Sequence, residues 1–213
     1  MNFVLHGYWR SSCTWRVKWA LNLKGLPYKS VDVNLLENEQ NSPEYLKLNP
    51  HGRVPTLLVD GKPISGSLAI VEWLDETWPV PCLLPTDSWE KALVREMAYV
   101  IAMDTQPIQN LSVLRRHSDL DEKRREWAQD FNRKGLKVFE QLIFQNDKKG
   151  PYSFGSNLTL ADICIVPQCY NAKRFGINLS AEFPRLSEIY DFCLKTKSCY
   201  EASPDRQPEA QNA

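Results

Sequence analysis

The spacing of apolar residues changes several times over the first eighty residues of the chain. Residues 3–8 have the composition of a strand, and from Ser12 onward apolar residues recur every three or four positions, as on one face of a helix. Gly25 and Pro27 are placed to end that helix, and residues 28–33 have the composition of a second strand. A strand, a helix and a strand with short links predict a right-handed parallel βαβ unit.

Turn-forming residues mark the elements that follow. Ser42 and Pro43 have the pattern of a helix start, with Pro at the first helical position. The pair Asp60 and Gly61 predicts a tight hairpin between two strands, and Ser67 caps a further helix. The predicted element order of this part of the chain is therefore β-α-β-α-β-β-α.

A proline-rich connector follows, with three prolines within residues 79–85. It predicts a boundary between a first domain at residues 1–82 and a second domain at residues 88–213. The second domain is expected to be all-helical, with long amphipathic segments at residues 88–117 and 121–146.

Shorter signals complete the second domain. Thr159 and Asp162 have the spacing of a capping box, with Leu158 placed to staple the start of that helix. A last helix is predicted to start at Pro184. The polar, proline-containing tail from Ala202 onward is expected to be loose.

Composition narrows the classes of function. Of the 213 residues, 43% are hydrophobic and 24% charged, and the formal net charge of zero argues against a general nucleic-acid-binding protein. No apolar run approaches the ~18 residues that span a bilayer, and the N-terminus lacks the pattern of a secretory signal. We therefore expect a cytoplasmic protein that binds neither nucleic acid nor membrane.

The cysteines and histidines give no sign of a metal centre. The six cysteines of a chain without a secretory signal are expected to be reduced thiols. No Cys-x-x-Cys pair is present, and the three histidines lack metal-ligand spacing, so we predict that no metal is bound.

Three positions in the first domain are candidates for chemistry. The turn at residues 11–13 lies where a strand meets a helix N-terminus, which attracts anions such as a thiolate, and Ser67 begins a second helix that is suited to a carboxylate. The alternative for each serine is a helix cap alone. Between them, a cis bond at Val54-Pro55 would turn the Val54 backbone outward to pair with an extended peptide.

The order of these three positions, together with the helical domain that follows, resembles the cytosolic glutathione transferases. The string Ser-Ser-Cys-Thr-Trp-Arg-Val at residues 11–17 is similar to the signature of their zeta class, the maleylacetoacetate isomerases. Residues 48–57, 106–112 and 171–175 are similar to the same class, and the likeness runs from about residue 3 to residue 200. The resemblance implies a thioredoxin-like N-terminal domain, glutathione as cofactor and a homodimer.

The resemblance also implies roles for individual residues of this chain. Catalytic roles fall on the turn that holds the glutathione sulfur, with Ser11 as the hydrogen-bond donor and with Ser12 and Cys13 beside it. Val54 matches the backbone partner of the cysteinyl amide, and Ser67 matches the ligand of the γ-glutamyl carboxylate. Further cofactor-binding positions are Gln40, Gly66, Gln106, Asn110, Leu111 and Ser112.

The implied reaction is the cis–trans isomerisation of a maleyl diketo acid, such as maleylacetoacetate in aromatic amino acid breakdown. Such a substrate has two carboxylates, for which Arg10 and Arg174 are the candidate partners, and the alternative for each is an ion pair. Arg16 is interpreted as a structural residue on the helix flank. Cys13 is either a neighbour of the sulfur, a packing residue or itself the nucleophile.

Gly66 departs from the family pattern, in which Gln, Glu or Asp precedes the serine. A side-chain hydrogen bond to glutathione is therefore missing or replaced, and we expect weaker glutathione binding. Two other functions remain open. One is a general glutathione transferase that acts on small electrophiles or α-halo acids, and the other is a non-catalytic domain that binds glutathione.

Overall fold

The structure is a computed structural model that describes residues 1–212. It divides the chain into two compact units. Unit 1 contains residues 1–82 together with the chain from Thr196 onward, and unit 2 is Leu83–Lys195.

Unit 1 is built on a four-stranded mixed sheet. The strand order is β2-β1-β3-β4, with β1 parallel to β2 and antiparallel to β3, and with β3 and β4 forming the predicted hairpin. The element order β-α-β-α-β-β-α is confirmed, as is the thioredoxin-like first domain. The elements are β1 (Phe3–Gly7), α1 (Ser12–Leu23), β2 (Lys29–Asp32), α2 (Pro43–Leu48), β3 (Thr56–Val59), β4 (Lys62–Ser65) and α3 (Ser67–Thr77).

Helix α1 is buried along most of its length because it packs against α3 on one side and against the C-terminal chain on another. Trp15, Val17, Trp19 and Leu21 are all buried and supply the apolar contacts. Burial on several faces explains why charged residues of α1 are also enclosed.

The C-terminal chain differs from the prediction. A helix, α10 (Lys197–Ala202), and the residues after it join unit 1 rather than the helical domain, so the predicted domain at residues 88–213 ends too late. The tail is also ordered rather than loose. Its Gln207 is buried and accepts a 2.6 Å hydrogen bond from the Lys18 ammonium of α1, and Asn22 of α1 donates to the Ser198 carbonyl at 3.3 Å. The physical reason is that buried polar groups of α1 need partners, which the tail supplies.

Unit 2 is helical, as predicted. Its helices are α4 (Ser88–Tyr99), α5 (Leu111–His117), α6 (Asp121–Asn146), α7 (Leu160–Arg174), α8 (Leu179–Glu182) and α9 (Pro184–Leu194). The predicted capping box is present at the start of α7, where the buried Asp162 carboxylate accepts from the Thr159 backbone N–H at 2.8 Å.

The predicted helical segment at residues 88–117 is interrupted. A π-helical turn at Val100–Thr105 and a 3₁₀ turn at Gln106–Gln109 separate α4 from α5. The Thr105 hydroxyl donates to the Val100 carbonyl at 2.7 Å. The two residues are five positions apart, the same separation that hydrogen-bonded backbone groups have in a π-helix. Gly135 of α6 permits this arrangement, because a Cβ atom there would collide with the Thr105 side chain.

Candidate active site

Ser11 is the N-cap of α1. Its backbone is extended, and its Oγ accepts a hydrogen bond from the Thr14 backbone N–H at 3.2 Å. The capping role is therefore present. It does not use up the hydroxyl, because a hydroxyl that accepts through its oxygen still has a proton to donate. Ser11 can cap the helix and donate to an anion at the same time.

The rest of this turn is enclosed to different degrees. Ser12 is buried, whereas Cys13 is half-buried. The Cys13 Sγ accepts from Nη1 of Arg16 at 3.7 Å, one turn further along α1. The thiol therefore lies between solvent and a buried cation.

Arg16 also connects this turn to the second predicted anion position. Its Nη1 donates to the Ser67 Oγ at 3.3 Å, so a single guanidinium contacts both Cys13 and Ser67. Ser67 is the first residue of α3 and is 7% exposed. The structure thus brings together the N-termini of α1 and α3, which are far apart in sequence.

The burial of Arg16 is unusual for a charged side chain. It is 1% exposed, its Nε and Nη2 have no hydrogen-bond partner, and no described carboxylate forms a salt bridge with it. Buried charges are normally paired, because removing an isolated charge from water is costly. Sequence reasoning gave Arg16 only a structural role. The available signal was its position three residues after Cys13, which places both on one helix face.

The backbone conformation at position 66 favours glycine. It is the N-cap of α3 with a φ of 89°, a conformation that glycine adopts without strain. Space does not require glycine there, because the nearest atom to an added Cβ would be the Ala69 Cβ at 3.9 Å. The departure from the family pattern therefore removes a polar side chain and relaxes the backbone.

The Val54-Pro55 bond is cis, as the sequence analysis considered. The loop before it is held through the Arg53 carbonyl, which accepts from the Tyr45 hydroxyl and from the Asn49 amide, both at 2.6 Å. Burial raises the pKa of Tyr45 above its ordinary value of 10.0, which keeps this hydroxyl protonated as a donor. Two buried side chains thus fix the backbone next to Val54.

Gln40 lies in a 3₁₀ turn (Glu39–Asn41) before α2. Its amide nitrogen donates to the Asn38 Oδ1 at 3.0 Å, while its Oε1 is buried without a partner among the described residues. This oxygen is an unused acceptor, suited to a donor such as a peptide N–H.

The remaining predicted residues fall into both units. In unit 2, Gln106 donates to the Asn110 Oδ1 at 2.6 Å, and Leu111 and Ser112 form the first turn of α5. Arg174 ends α7, is exposed, and donates to the Asn171 Oδ1 at 3.2 Å. In unit 1, Arg10 is half-buried, with its guanidinium 5.4 Å from the centre of the Trp9 ring.

A closed ring of amides holds the turn that contains Gln106. Gln109 donates to the Gln168 Oε1 at 3.2 Å, Gln168 donates to the Asn132 Oδ1 at 2.6 Å, and Asn132 donates to the Gln109 Oε1 at 2.5 Å. All three side chains are buried. Sequence reasoning missed this ring, because its members lie on three separate segments of unit 2.

Comparisons with known proteins agree with the fold. Residues 10–77 match the family described as Glutathione S-transferase, N-terminal domain, and residues 104–196 match Glutathione S-transferase, C-terminal domain. The maleylacetoacetate isomerase of Dictyostelium discoideum is 39% identical over 213 residues, which cover 98% of this chain and 96% of that protein. This chain is a zeta-class glutathione transferase.

Solved structures support the same assignment. A bacterial maleyl pyruvate isomerase, described as a zeta-class glutathione S-transferase, superposes with a TM-score of 0.94 at 34% identity, covering 97% of this chain and 99% of that one. The maleylacetoacetate isomerase of Anaeromyxobacter dehalogenans 2CP-1, with bound GSH, has a TM-score of 0.87 at 42% identity and 98% coverage of both chains. That protein has also been solved with bound dicarboxyethyl glutathione and citrate.

Within residues 1–212, no helix is long and apolar enough to cross a membrane. The same residues contain no group of three or more His, Cys, Asp or Glu side chains placed to hold a metal ion.

Proposed function

We propose that this zeta-class transferase is a glutathione-dependent cis–trans isomerase of a maleyl diketo acid, converting maleylacetoacetate to fumarylacetoacetate in aromatic amino acid breakdown. The observation that carries the proposal is the Ser11 hydroxyl. It lies at the N-terminus of α1, and its oxygen already accepts from Thr14, so its proton is available to an anion. The substrate class is supported by relatives that are named maleylacetoacetate isomerases.

The residues of unit 1 fit glutathione. Ser11 and Ser67 each present a hydroxyl whose oxygen already accepts a hydrogen bond, and Gln40 has a buried acceptor without a partner. These groups match a ligand with anionic ends and a peptide backbone between them. Ser11 would hold the sulfur, Ser67 the γ-glutamyl carboxylate, the Val54 backbone the cysteinyl amide and Gln40 a further peptide group.

When bound, glutathione supplies the sulfur that adds to the substrate double bond and later leaves, so that the carbon–carbon bond is single while it rotates. The task of the protein is to keep that sulfur ionised. A thiol with the ordinary cysteine pKa of about 8.5 is only ~3% ionised at pH 7, and making it mostly ionised requires about 2.7 kcal/mol of stabilisation. The N-terminus of α1 supplies up to about 1–2 kcal/mol, and the Ser11 hydroxyl about 1.5–3 kcal/mol. The two together suffice without a general base.

The other site residues have supporting roles in the proposal. Ser12 and Cys13 would lie beside the sulfur position, and Gln106, Asn110, Leu111 and Ser112 are further cofactor-binding positions, as the resemblance implies. Arg10 and Arg174 are the proposed partners of the substrate carboxylates, because a planar guanidinium can bind a carboxylate through two hydrogen bonds.

Three observations in solution would favour other functions or another nucleophile. Isomerase activity without added glutathione would indicate that the Cys13 thiol is the nucleophile. A stable thioether product would make the protein a general transferase acting on small electrophiles or α-halo acids. Retention on immobilised glutathione, without activity on any of these substrates, would leave a non-catalytic binding domain.

The decisive experiment is a fumarylacetoacetate-forming assay. Purified protein is mixed with maleylacetoacetate, and in parallel with maleylpyruvate, with and without glutathione. The proposal predicts isomerisation that depends on glutathione. The absence of isomerisation of either substrate in the presence of glutathione would contradict it.

The proposal extends to assembly and location. We infer a homodimer, which the resemblance to the cytosolic glutathione transferases implies. We infer a cytoplasmic location, supported by the six cysteines, all of which are thiols rather than disulfides. Light scattering of the purified protein tests the dimer, and microscopy of a tagged chain tests the location.

A further inference from the structure

Arg16 is a buried cation whose charge nothing in the described chain balances. It is 1% exposed, and among residues 1–212 its guanidinium donates only from Nη1, to Cys13 and to Ser67. Nε and Nη2 have no hydrogen-bond partner among the same residues. Gly66, next to Ser67, has no side chain that accepts from it. The charge also lies beside the N-termini of α1 and α3, whose partial charges are positive, so the helices do not compensate it.

The chemistry of the guanidinium fixes the direction of one hydrogen bond. Arginine has five donors and no acceptor, so the Ser67 oxygen must accept from Arg16. The Ser67 proton is then free to be donated elsewhere. A serine held in this way is a donor toward an anion.

We propose that Arg16 is a positioning residue for glutathione, which fixes Ser67 as a donor to the ligand carboxylate and whose unbalanced charge is neutralised only when that anion is bound. This inference rests on the proposed function. It has an unusual consequence, which is that Arg16 destabilises the free protein and stabilises the complex. Binding sites hold such locally unfavourable groups because the ligand completes them.

Lys18 is the matched comparison on the same helix. It is 5% exposed, and its ammonium donates to Gln207 at 2.6 Å, so its partner lies within the protein. Desolvation by burial lowers the pKa of Lys18, and the nearby carboxylates of Glu209 and Asp32 offset part of that shift. Lys18 therefore has internal partners of the kind that Arg16 lacks.

The test measures glutathione affinity by calorimetry and the melting temperature without ligand. Arg16→Met keeps the bulk of the side chain and removes its charge, and Lys18→Met does the same at the control position. We expect Arg16→Met to weaken glutathione binding about tenfold or more, with a melting temperature no lower than that of the unaltered protein. We expect Lys18→Met to melt at a lower temperature and to bind glutathione unchanged.

Three further variants test whether Arg16 affects glutathione binding through Ser67. Ser67→Ala weakens binding, and Arg16→Met added to Ser67→Ala weakens it little more, because the two residues act through one hydrogen bond. Arg16→Lys keeps the charge and a donor and restores part of the affinity. If Arg16→Met does not fold, Arg16→Gln is measured in the same way.

The outcomes separate this inference from the proposed function. If the unaltered protein binds no glutathione, both fail. If it binds glutathione and Arg16→Met binds equally well, only the role of Arg16 fails. That role also fails if Arg16→Met melts as low as Lys18→Met, or if its effect simply adds to that of Ser67→Ala.

Discussion

Two buried polar clusters, one in each unit, differ in how completely their members satisfy one another. In unit 2, Gln109, Asn132 and Gln168 form a closed ring in which each amide both donates and accepts. In unit 1, Arg16 contacts Ser67 and leaves two of its nitrogens without partners. The closed ring holds a turn of the backbone. The cluster of Arg16 and Ser67 has donors without partners, and it lies at the position where the sequence predicts that an anion binds.

The comparison distinguishes buried polar groups that stabilise the fold from buried polar groups that are available to bind a ligand. Buried polar groups are nearly always paired in folded proteins, so an unpaired one requires an explanation. In the ring the explanation is structural, since its bonds tie α6 and α7 to the turn between α4 and α5. At Arg16 we propose that it is functional. The first prediction below tests the structural explanation of the ring, and the others concern the predicted site and unit 1.

The largest effect on stability is expected from opening the ring. Gln168→Met removes its two bonds to Gln109 and Asn132 and leaves a buried donor and a buried acceptor unpaired. We expect a loss of about 2–6 kcal/mol in the free energy of unfolding, measured by chemical denaturation. Replacing all three amides by Met or Leu removes the unpaired groups, so that variant should be more stable than Gln168→Met alone. A still less stable triple variant would contradict this account of the ring.

The largest effect on activity is expected at Ser11. Ser11→Ala removes the donor to the sulfur, which should raise the pKa of the bound thiol and lower turnover at pH 7 roughly tenfold to 100-fold. The measurement is the pH–rate profile.

Ser42 is the control for this variant, because its Oγ caps α2 by accepting from Tyr45 at the same 3.2 Å distance that Ser11 has to Thr14. Ser42→Ala and Ser11→Ala should lose similar stability, about 1 kcal/mol. Only Ser11→Ala should change the profile. An unchanged profile in Ser11→Ala would remove Ser11 from the mechanism.

A smaller change is expected at Gly66. Gly66→Gln restores an amide next to Ser67, while Gly66→Ala imposes the same backbone strain at a φ of 89° without the amide. We expect both variants to lose stability, and Gly66→Gln to bind glutathione about tenfold more tightly than Gly66→Ala. Isothermal titration compares them. Tighter binding by Gly66→Ala would overturn the interpretation of this position.

The smallest effect concerns His6 of β1, whose ring lies 6.3 Å from that of Tyr45. Burial lowers the pKa of His6 below its ordinary value of 6.5, so the unfolded chain takes up this proton more readily than the folded one. The contribution of His6 to stability is therefore complete above pH 6.5 and is lost as the pH falls toward its folded pKa. His6→Phe should flatten this part of the curve of unfolding free energy against pH. An equal slope of unfolding free energy against pH in both proteins would show that His6 does not contribute to this pH dependence.

Local signals were enough to predict most of the first unit. Gly25, Pro27 and the pair Asp60 and Gly61 act on their own backbone, so the element order could be derived from the sequence. The connector prolines likewise placed the boundary near residue 82, where the structure also divides the chain.

Long-range contacts account for what the sequence did not predict. The interruption between α4 and α5 depends on Gly135 of α6, and the order of the tail depends on Lys18 of α1. The periodicity of apolar residues along the chain does not predict either of these contacts. The site was only partly predictable for the same reason, because the partner of Arg16 is Ser67, 51 residues away. The roles of the predicted site residues remain predictions.

The most direct test of the central claim limits the supply of glutathione. Purified protein is given maleylacetoacetate in large excess over glutathione, and both the fumaryl product and the free thiol are followed by NMR. The account predicts many molecules of product for each glutathione, with the free thiol fully recovered. Product formation that stops at one molecule per glutathione, with the sulfur retained in a stable thioether, would contradict it.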